Sequence, residues 1–187
     1  MTLDEIAIKH GTDKATKHPR YGHAYTPHYA KFFDLLRDLP IKFLEIGVGG
    51  GESIMTWMEF FPNAKVFGID IVQGTNDWNT VGKSPDPRYT FTCGSQSDPT
   101  FWKCFAVDCG KEWDVIIDDG GHFSDQIITA FEGLWPHVKS GGLYCVEDIG
   151  VCYGEGSVFL TKGWKTHMDF IRDRLDDINL TRNCVKT

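Results

Sequence analysis

The stretch from residue 43 to residue 51, FLEIGVGGG, constrains the fold of this chain more than any other. Its apolar beginning predicts a buried strand, and its glycines predict a tight turn where that strand ends. Gly47, Gly49 and Gly51 have no Cβ, so a ligand can lie directly against the main chain of the turn. Glu45, just inside the strand, would accept hydrogen bonds from a polar or cationic ligand. The stretch therefore predicts a strand, a ligand-binding turn and a following helix.

The spacing of these glycines argues against a dinucleotide as the ligand. The dinucleotide fingerprint is G-x-G-x-x-G, with the diphosphate over the helix N-terminus. Counting from Gly47 places Glu52 at the third glycine position, and counting from Gly49 places Ile54 there. A carboxylate in the first helical turn would also repel a diphosphate. The form acid-x-G-x-G-x-G instead resembles the first motif of class I S-adenosylmethionine-dependent methyltransferases. A glycine-rich turn without any ligand is the simpler alternative.

Strand and helix patterns alternate along the rest of the chain. Strands are predicted at residues 42–46, 65–71, 89–93, 113–118 and 143–148, and helices at 52–61, at 98–109 and from an N-cap at Ser124. Two helices precede them, at residues 3–9 and from an N-cap at Thr26 to residue 39. A last helix is predicted from the spacing of Trp164, Met168, Ile171, Leu175 and Ile178. This alternation predicts a Rossmann-like, doubly wound and mostly parallel α/β sheet, with ligands at the carboxyl ends of its strands.

Length and composition fit one globular domain. We expect residues 1–187 to form it, with residues 1–40 as a helical cap segment and 41–187 as the α/β core. The net charge of -7 argues against a nucleic-acid surface. No apolar run approaches the roughly 20 residues that span a bilayer, and the N-terminus lacks a signal-like pattern. We therefore expect neither nucleic acid nor membrane as a partner, and a cytoplasmic location.

Four carboxylates are expected to meet at one rim of the sheet. Asp118 and Asp119 follow the fourth predicted strand, and Glu147 and Asp148 follow the fifth. Carboxylates this close repel one another unless they are protonated, paired or bound to a cation. Oxygen ligands without cysteine favour Mg²⁺ or a similar divalent ion. We predict Asp119, Glu147 and Asp148 as metal ligands, with Asp118 nearer the strand.

His122 is the predicted catalytic residue. It lies three residues after Asp119, in a loop flanked by glycine. Histidine ordinarily titrates near neutrality, so it can act as a general base toward a hydroxyl whose proton a nearby metal ion makes easier to remove. The alternative is that His122 caps the next helix or is merely exposed.

Further polar residues at the strand ends are predicted to contact a cofactor. Asp70 ends the second strand, where an acid can accept both ribose hydroxyls of an adenosine group. Gln96, or its neighbours Ser97 and Asp98, could bind the adenine edge, although an Asp before Pro is also an ordinary helix cap. Ser53 and Asp118 complete this predicted set.

Beyond these motifs, the chain resembles a family over most of its length. The matching motifs are Gly11-Thr12-Asp13-Lys14, His23, Tyr25, residues 44–48, residues 67–70, residues 118–122 and residues 146–148. They are similar to those of the metal-dependent sugar O-methyltransferases of macrolide tailoring, the mycinamicin type, whose relatives are often labelled cephalosporin-hydroxylase-like. The resemblance implies that Asp119, Glu147 and Asp148 hold Mg²⁺ and that His122 is the base. It also implies that Thr12, Lys14 and Tyr25 lie near the methionyl end of S-adenosylmethionine.

Two departures from this family pattern are expected. The fold usually ends in an antiparallel strand hairpin, and residues 179–187 are too few to supply both strands. We expect either a trimmed chain or a sheet with one edge strand there. The large auxiliary domain of the macrolide enzymes has no counterpart, so their acceptor and oligomeric arrangement do not transfer, and a homo-oligomer stays open.

The sequence therefore predicts an O-methyltransferase of natural-product biosynthesis. It would use S-adenosyl-L-methionine and Mg²⁺ to methylate a hydroxyl of a small molecule, such as a sugar or a glycoside. Two alternatives stay open at this point. One is a metal-dependent hydroxylase or hydrolase, and the other is a protein that binds S-adenosylmethionine without catalysis.

Overall fold

The computed structural model describes residues 1–20, 22–110, 112–153, 157–159 and 165–184, with side chains through residue 175. Within this range the chain forms a five-stranded parallel sheet in the order β3-β2-β1-β4-β5. The strands are β1 Lys42–Ile46, β2 Lys65–Asp70, β3 Tyr89–Cys93, β4 Trp113–Asp118 and β5 Val138–Val146. The predicted Rossmann-like, doubly wound fold is confirmed. In the described part of the chain no strand follows β5.

Helices flank the sheet on both sides. They are α1 Leu3–His10, α2 Thr26–Phe33, α3 Glu52–Phe60, α4 Pro99–Asp108, α5 Ser124–Leu134 and α6 His167–Cys184, with short 3₁₀ turns at Trp135–His137 and Ile149–Tyr153. Neighbouring residues of β1 point to opposite faces: Phe43 packs into the core that includes Trp57, and Leu44 into the core that includes Trp102. The sheet is therefore buried on both faces, as a parallel sheet requires. Among the described residues, none of the helices has the length and apolar character needed to cross a membrane.

Several predicted boundaries are wrong by a few residues. Tyr25, not Thr26, is the N-cap of α2, because the Thr26 hydroxyl donates to Asp4 at 2.5 Å. Phe123 rather than Ser124 is the N-cap of α5. Strand β5 begins at Val138 instead of residue 143, since Val138 pairs with the start of β4 before the register shifts. The predicted helical position 164 lies outside the described residues.

The strand order places a topological switch point between β1 and β4. From this junction the chain continues outward in opposite directions, through β2 and β3 on one side and β5 on the other. In open parallel sheets, ligands bind at the carboxyl ends of the strands beside such a switch. The glycine turn after β1 and the acidic loop after β4 both lie there.

Candidate active site

A cavity of about 600 Å³ opens at the carboxyl ends of β1, β2 and β4. Ten of the predicted site residues line it: Thr12, Lys14, Gly47, Gly49, Ser53, Asp70, Gln96, Asp119, His122 and Asp148. The other five are outside the lining, and four of these bond to residues in it: Tyr25, Glu45, Asp118 and Glu147. The fifth, Gly51, packs against Trp78. The structure thus gathers the predicted residues around one cavity.

The glycine turn brings β1 against the loop that follows β4. Gly47 has φ +89°, and a Cβ there would overlap the backbone carbonyl oxygen of Asp119. Gly49 differs, because a Cβ on it would meet nothing within 4 Å. Gly47 therefore sets the position of the acidic loop, whereas Gly49 presents bare backbone to the cavity.

Asp70 supports this turn from the end of β2. Its Oδ2 accepts hydrogen bonds from the backbone N–H groups of Val48 at 3.0 Å and Gly49 at 2.9 Å, and its Oδ1 accepts one from Val72 at 2.9 Å. A carboxylate oxygen has lone pairs for more than one donor. Asp70 can hold the turn in shape and still accept hydrogen bonds from a ligand in the cavity.

A buried pair, Gln96 and Asp118, orders the loop that carries His122. The Gln96 side-chain amide donates to Asp118 Oδ1 at 2.6 Å, and its oxygen accepts from the backbone N–H of Gly121 at 3.1 Å. Burial raises the pKa of Asp118 to about 7. These two hydrogen bonds of Gln96 therefore fix the position of the glycine-flanked loop.

Lys14 lies at the centre of the acidic cluster. Its side chain is 2% exposed, and its ammonium group donates to Glu147 Oε2 at 2.8 Å and to Asp119 Oδ2. Glu45 Oε1 is 3.8 Å from the same nitrogen. The other Glu147 oxygen accepts from the Tyr29 hydroxyl at 2.7 Å, so both Glu147 oxygens are engaged. The contact of Lys14 with a cofactor stays a prediction.

The single positive charge of Lys14 cannot balance the negative charges of several ionised carboxylates. Burial lowers the pKa of Lys14, but the attraction of Glu147, Asp119 and Glu45 outweighs it, so the net pKa is well above the ordinary value. Burial raises the pKa of Glu45 to about 8 and that of Glu147 to about 7, although Lys14 opposes both shifts. Carboxyl groups with pKa values in this range are partly protonated near neutrality, so Lys14 and bound protons together compensate the cluster, and a divalent ion would replace those protons.

Three groups at the cavity rim meet the geometric requirement of a metal site. Ligand atoms of Asp119, His122 and Asp148 all lie within 4.8 Å of one another. His122 Nε2 is 3.7 Å from Asp148 Oδ2 and 3.9 Å from Asp119 Oδ1. Both His122 (φ +59°) and Asp148 (φ +53°) adopt a left-handed backbone, which is uncommon outside glycine and clusters at functional sites. Oxygen and imidazole donors in this arrangement fit a divalent ion.

Two side chains near this rim were absent from the predicted site. Tyr29 was not among the predicted site residues, yet its hydroxyl donates to Glu147 Oε1. His23 stacks on Tyr25, with ring centroids 5.4 Å apart, and its Nδ1 is 3.7 Å from Asp148 Oδ1. The four-residue spacing of Tyr25 and Tyr29 was the available signal, because residues at i and i+4 share one helix face.

The buried carboxyl of Glu45 makes stability depend on pH. Because its pKa is raised in the folded chain, the stability it contributes is complete below its ordinary value of 4.5 and is lost as the pH rises toward 8. We expect the free energy of unfolding, relative to Glu45→Gln, to fall by roughly 1 kcal/mol per pH unit between pH 5 and 8. Urea unfolding checks this. The exposed Glu132→Gln is the control, and a difference between wild type and Glu45→Gln that is constant with pH contradicts the prediction.

Comparison with known proteins gives one consistent group of relatives, although no family model matches. The chain is 34% identical to L-olivosyl-oleandolide 3-O-methyltransferase of Streptomyces antibioticus, over 82% of this chain and 39% of that protein. It is 35% identical to mycinamicin VI 2''-O-methyltransferase of Micromonospora griseorubida, over 82% of this chain and 37% of that protein. The MycE methyltransferase of the mycinamycin biosynthetic pathway, in complex with Mg, SAH and mycinamycin VI, is similar in structure. Its TM-score is 0.80 at 29% identity, covering 96% of this chain and 48% of that one. The chain spans less than half the length of these relatives.

Proposed function

This chain resembles the macrolide sugar O-methyltransferases in sequence and fold, and from that premise we propose that it is an S-adenosylmethionine-dependent O-methyltransferase. Its acceptor would be a hydroxyl group of a small molecule, a sugar or a natural-product glycoside. The observation that carries the proposal is the position of His122, whose Nε2 faces Asp119 and Asp148 at the rim of the cavity. A general base beside two carboxylates that would hold a divalent ion is suited to removing a hydroxyl proton.

The cavity has the features that an adenosine-containing cofactor needs. The open backbone of Gly49 would lie against it, Asp70 would accept its ribose hydroxyls, and Gln96 lies where the adenine edge is predicted. Ile71, which is 69% exposed, adds an apolar wall that an adenine ring would cover. When bound, S-adenosylmethionine supplies a methyl group on a positively charged sulfur. The Asp119 and Asp148 carboxylates, which line the cavity, would favour that cation.

We propose Asp119 and Asp148 as ligands of a divalent ion, with Glu147 the third predicted ligand. When bound, Mg²⁺ would orient the acceptor and favour loss of its hydroxyl proton. His122 Nε2 would take that proton as the acceptor oxygen bonds to the methyl carbon. The bond from that carbon to the sulfonium sulfur would break in the same step, and S-adenosylhomocysteine would leave. Asp148 and Asp119 would stabilise the resulting imidazolium at distances of 3.7 and 3.9 Å. The Tyr25 hydroxyl, 2.7 Å from Asp148 Oδ1, would keep that carboxylate in position.

The N-terminal segment belongs to this proposed site. Residues 1–40 would act as a cap within a single domain of residues 1–187. In support, Leu3 and Phe33 are buried in the main core, while Lys14 and Tyr25 reach the acidic rim. The proposed acceptor is a small molecule, and nucleic acid is not expected at a rim of this charge.

The arrangement of side chains favours a redox-iron hydroxylase less than an O-methyltransferase. Such sites use two histidines and one carboxylate. The group whose ligand atoms meet within 4.8 Å contains one histidine, His122, among the residues that the structure describes. His23 Nδ1 is 3.7 Å from Asp148 Oδ1, the carboxylate oxygen that does not face His122, and His23 is not part of that group.

Calorimetry followed by a transfer assay tests the proposal. We expect S-adenosylmethionine to bind the purified chain, and methyl transfer to a member of a glycoside and catechol panel to require Mg²⁺ and to stop with EDTA. Asp119→Asn should lower turnover by about 10²-fold or more because it removes a ligand, and the exposed Asp38→Asn should not. Absence of cofactor binding would overturn the proposal, and binding without turnover on any acceptor would favour a sensor.

A further inference from the structure

Lys14 is bonded to the same carboxylates that are predicted to hold the divalent ion. Its ammonium group donates to Asp119 Oδ2 and to Glu147 Oε2. The second oxygen of Glu147 is bonded to Tyr29, whereas Asp119 Oδ1 and Asp148 Oδ2 face His122. Lys14 therefore takes up oxygen atoms that a metal ion would use.

This lysine is too deeply buried to be an incidental neighbour. The whole residue is 1% exposed. A buried ammonium group is tolerated only when it is paired and hydrogen-bonded. Its partners come from three different strand ends: Glu45 in β1, Asp119 after β4 and Glu147 after β5. The lysine thus joins the cap segment to the three parts of the rim.

We propose that Lys14 is a positioning residue that holds Asp119 and Glu147 in place as an internal cation, and that it competes with the divalent ion for these carboxylates. The inference rests on the metal of the proposed function. A divalent ion near Asp119 gains the attraction of the carboxylates but is repelled by the ammonium group beside it. Lys14 thus lowers metal affinity and at the same time keeps the ligand cluster folded when the ion is not bound.

Lys14→Met tests this, since methionine keeps most of the side-chain volume without the charge. We expect Mn²⁺, followed by electron paramagnetic resonance, to bind the variant at least about tenfold more tightly than wild type. Without divalent ions its melting temperature should fall by roughly 10 °C, because Asp119 and Glu147 lose their hydrogen-bonded cation, and Mg²⁺ should restore most of that loss. A purely structural lysine predicts a loss of stability that Mg²⁺ does not reverse.

Lys9→Met is the matched control. Lys9 is paired with Glu59 at 2.7 Å, but its side chain is 53% exposed and lies on α1. Exposed pairs contribute little, so this variant should keep the melting temperature within about 2 °C and leave Mn²⁺ affinity unchanged. Unchanged or weaker Mn²⁺ binding in Lys14→Met would overturn the inference.

A measurement on wild type decides the question if Lys14→Met does not fold even with Mg²⁺. A buried ammonium group exchanges slowly enough for its ¹⁵N resonance to be followed by nuclear magnetic resonance. Mg²⁺ should shift the Lys14 resonance and leave that of Lys9 in place, whereas an unmoved Lys14 resonance at saturating Mg²⁺ would overturn the inference. If wild type binds the metal ion and transfers methyl groups but Mg²⁺ does not shift the Lys14 resonance, only this inference fails. If wild type binds no divalent ion, the metal of the proposed function fails with it.

Discussion

Replacement of His122 by alanine is expected to lower the rate of methyl transfer by about 10²- to 10⁴-fold, the usual contribution of a general base. His122 Nε2 lies within 4 Å of both Asp119 and Asp148, whereas the contact of His23 at this rim is with Asp148. Binding of S-adenosylmethionine should persist within about threefold, since its proposed contacts are on the glycine turn and Asp70. Single-turnover transfer to the acceptor found in the panel, with calorimetry in parallel, measures both quantities.

The same variant separates a base from a metal ligand. Ligand atoms of His122 and the two aspartates lie close enough to share an ion, so a ligand role would weaken Mn²⁺ binding in His122→Ala. A base role leaves Mn²⁺ affinity near that of wild type and removes only turnover. His28, exposed on α2, supplies the control His28→Ala, which should change neither. Turnover within tenfold of wild type would contradict the role of His122 as the base.

The fold was largely predictable because its signals are local. Strands β1, β2 and β4 each show an apolar run that ends at glycine or acid, and β3 shows apolar residues alternating with threonine before Gly94. The predicted bounds of all four agree with the structure to within a residue. Strand β5 was predicted too short because residues 139–142, KSGG, are polar and glycine-rich and resemble a turn. They are part of the strand since Val138 pairs with Trp113 of β4, a contact between distant parts of the chain that sequence pattern does not reveal.

The candidate site was predictable only where strand order determines it. That Asp119 and Asp148 approach each other follows from the pairing of β4 with β5 and from the common edge at which parallel strands end. The contacts of Lys14 do not follow from that order. Its partners Asp119 and Glu147 are 105 and 133 residues away, and which of them it reaches depends on how the cap segment packs.

Gly47→Ala is expected to be the most damaging single substitution of the glycine turn. Alanine at φ +89° is strained by roughly 1–2 kcal/mol, and its Cβ would overlap the carbonyl oxygen of Asp119. Relief of that overlap must push apart the turn after β1 and the loop after β4, which adds about 1–3 kcal/mol. We expect a melting temperature lowered by roughly 10 °C and an affinity for S-adenosylmethionine at least about tenfold weaker.

Gly74→Ala is the matched control, because it separates backbone strain from the overlap. Gly74 has φ +82°, close to that of Gly47, but a Cβ there would meet nothing within 4 Å. It should lower the free energy of unfolding by only about 1–2 kcal/mol and leave the cofactor affinity unchanged. Thermal unfolding and calorimetry on both variants measure the difference. Equal losses of stability and of cofactor affinity in the two variants would contradict the prediction. They would mean that the close approach of Gly47 to Asp119 contributes to neither quantity.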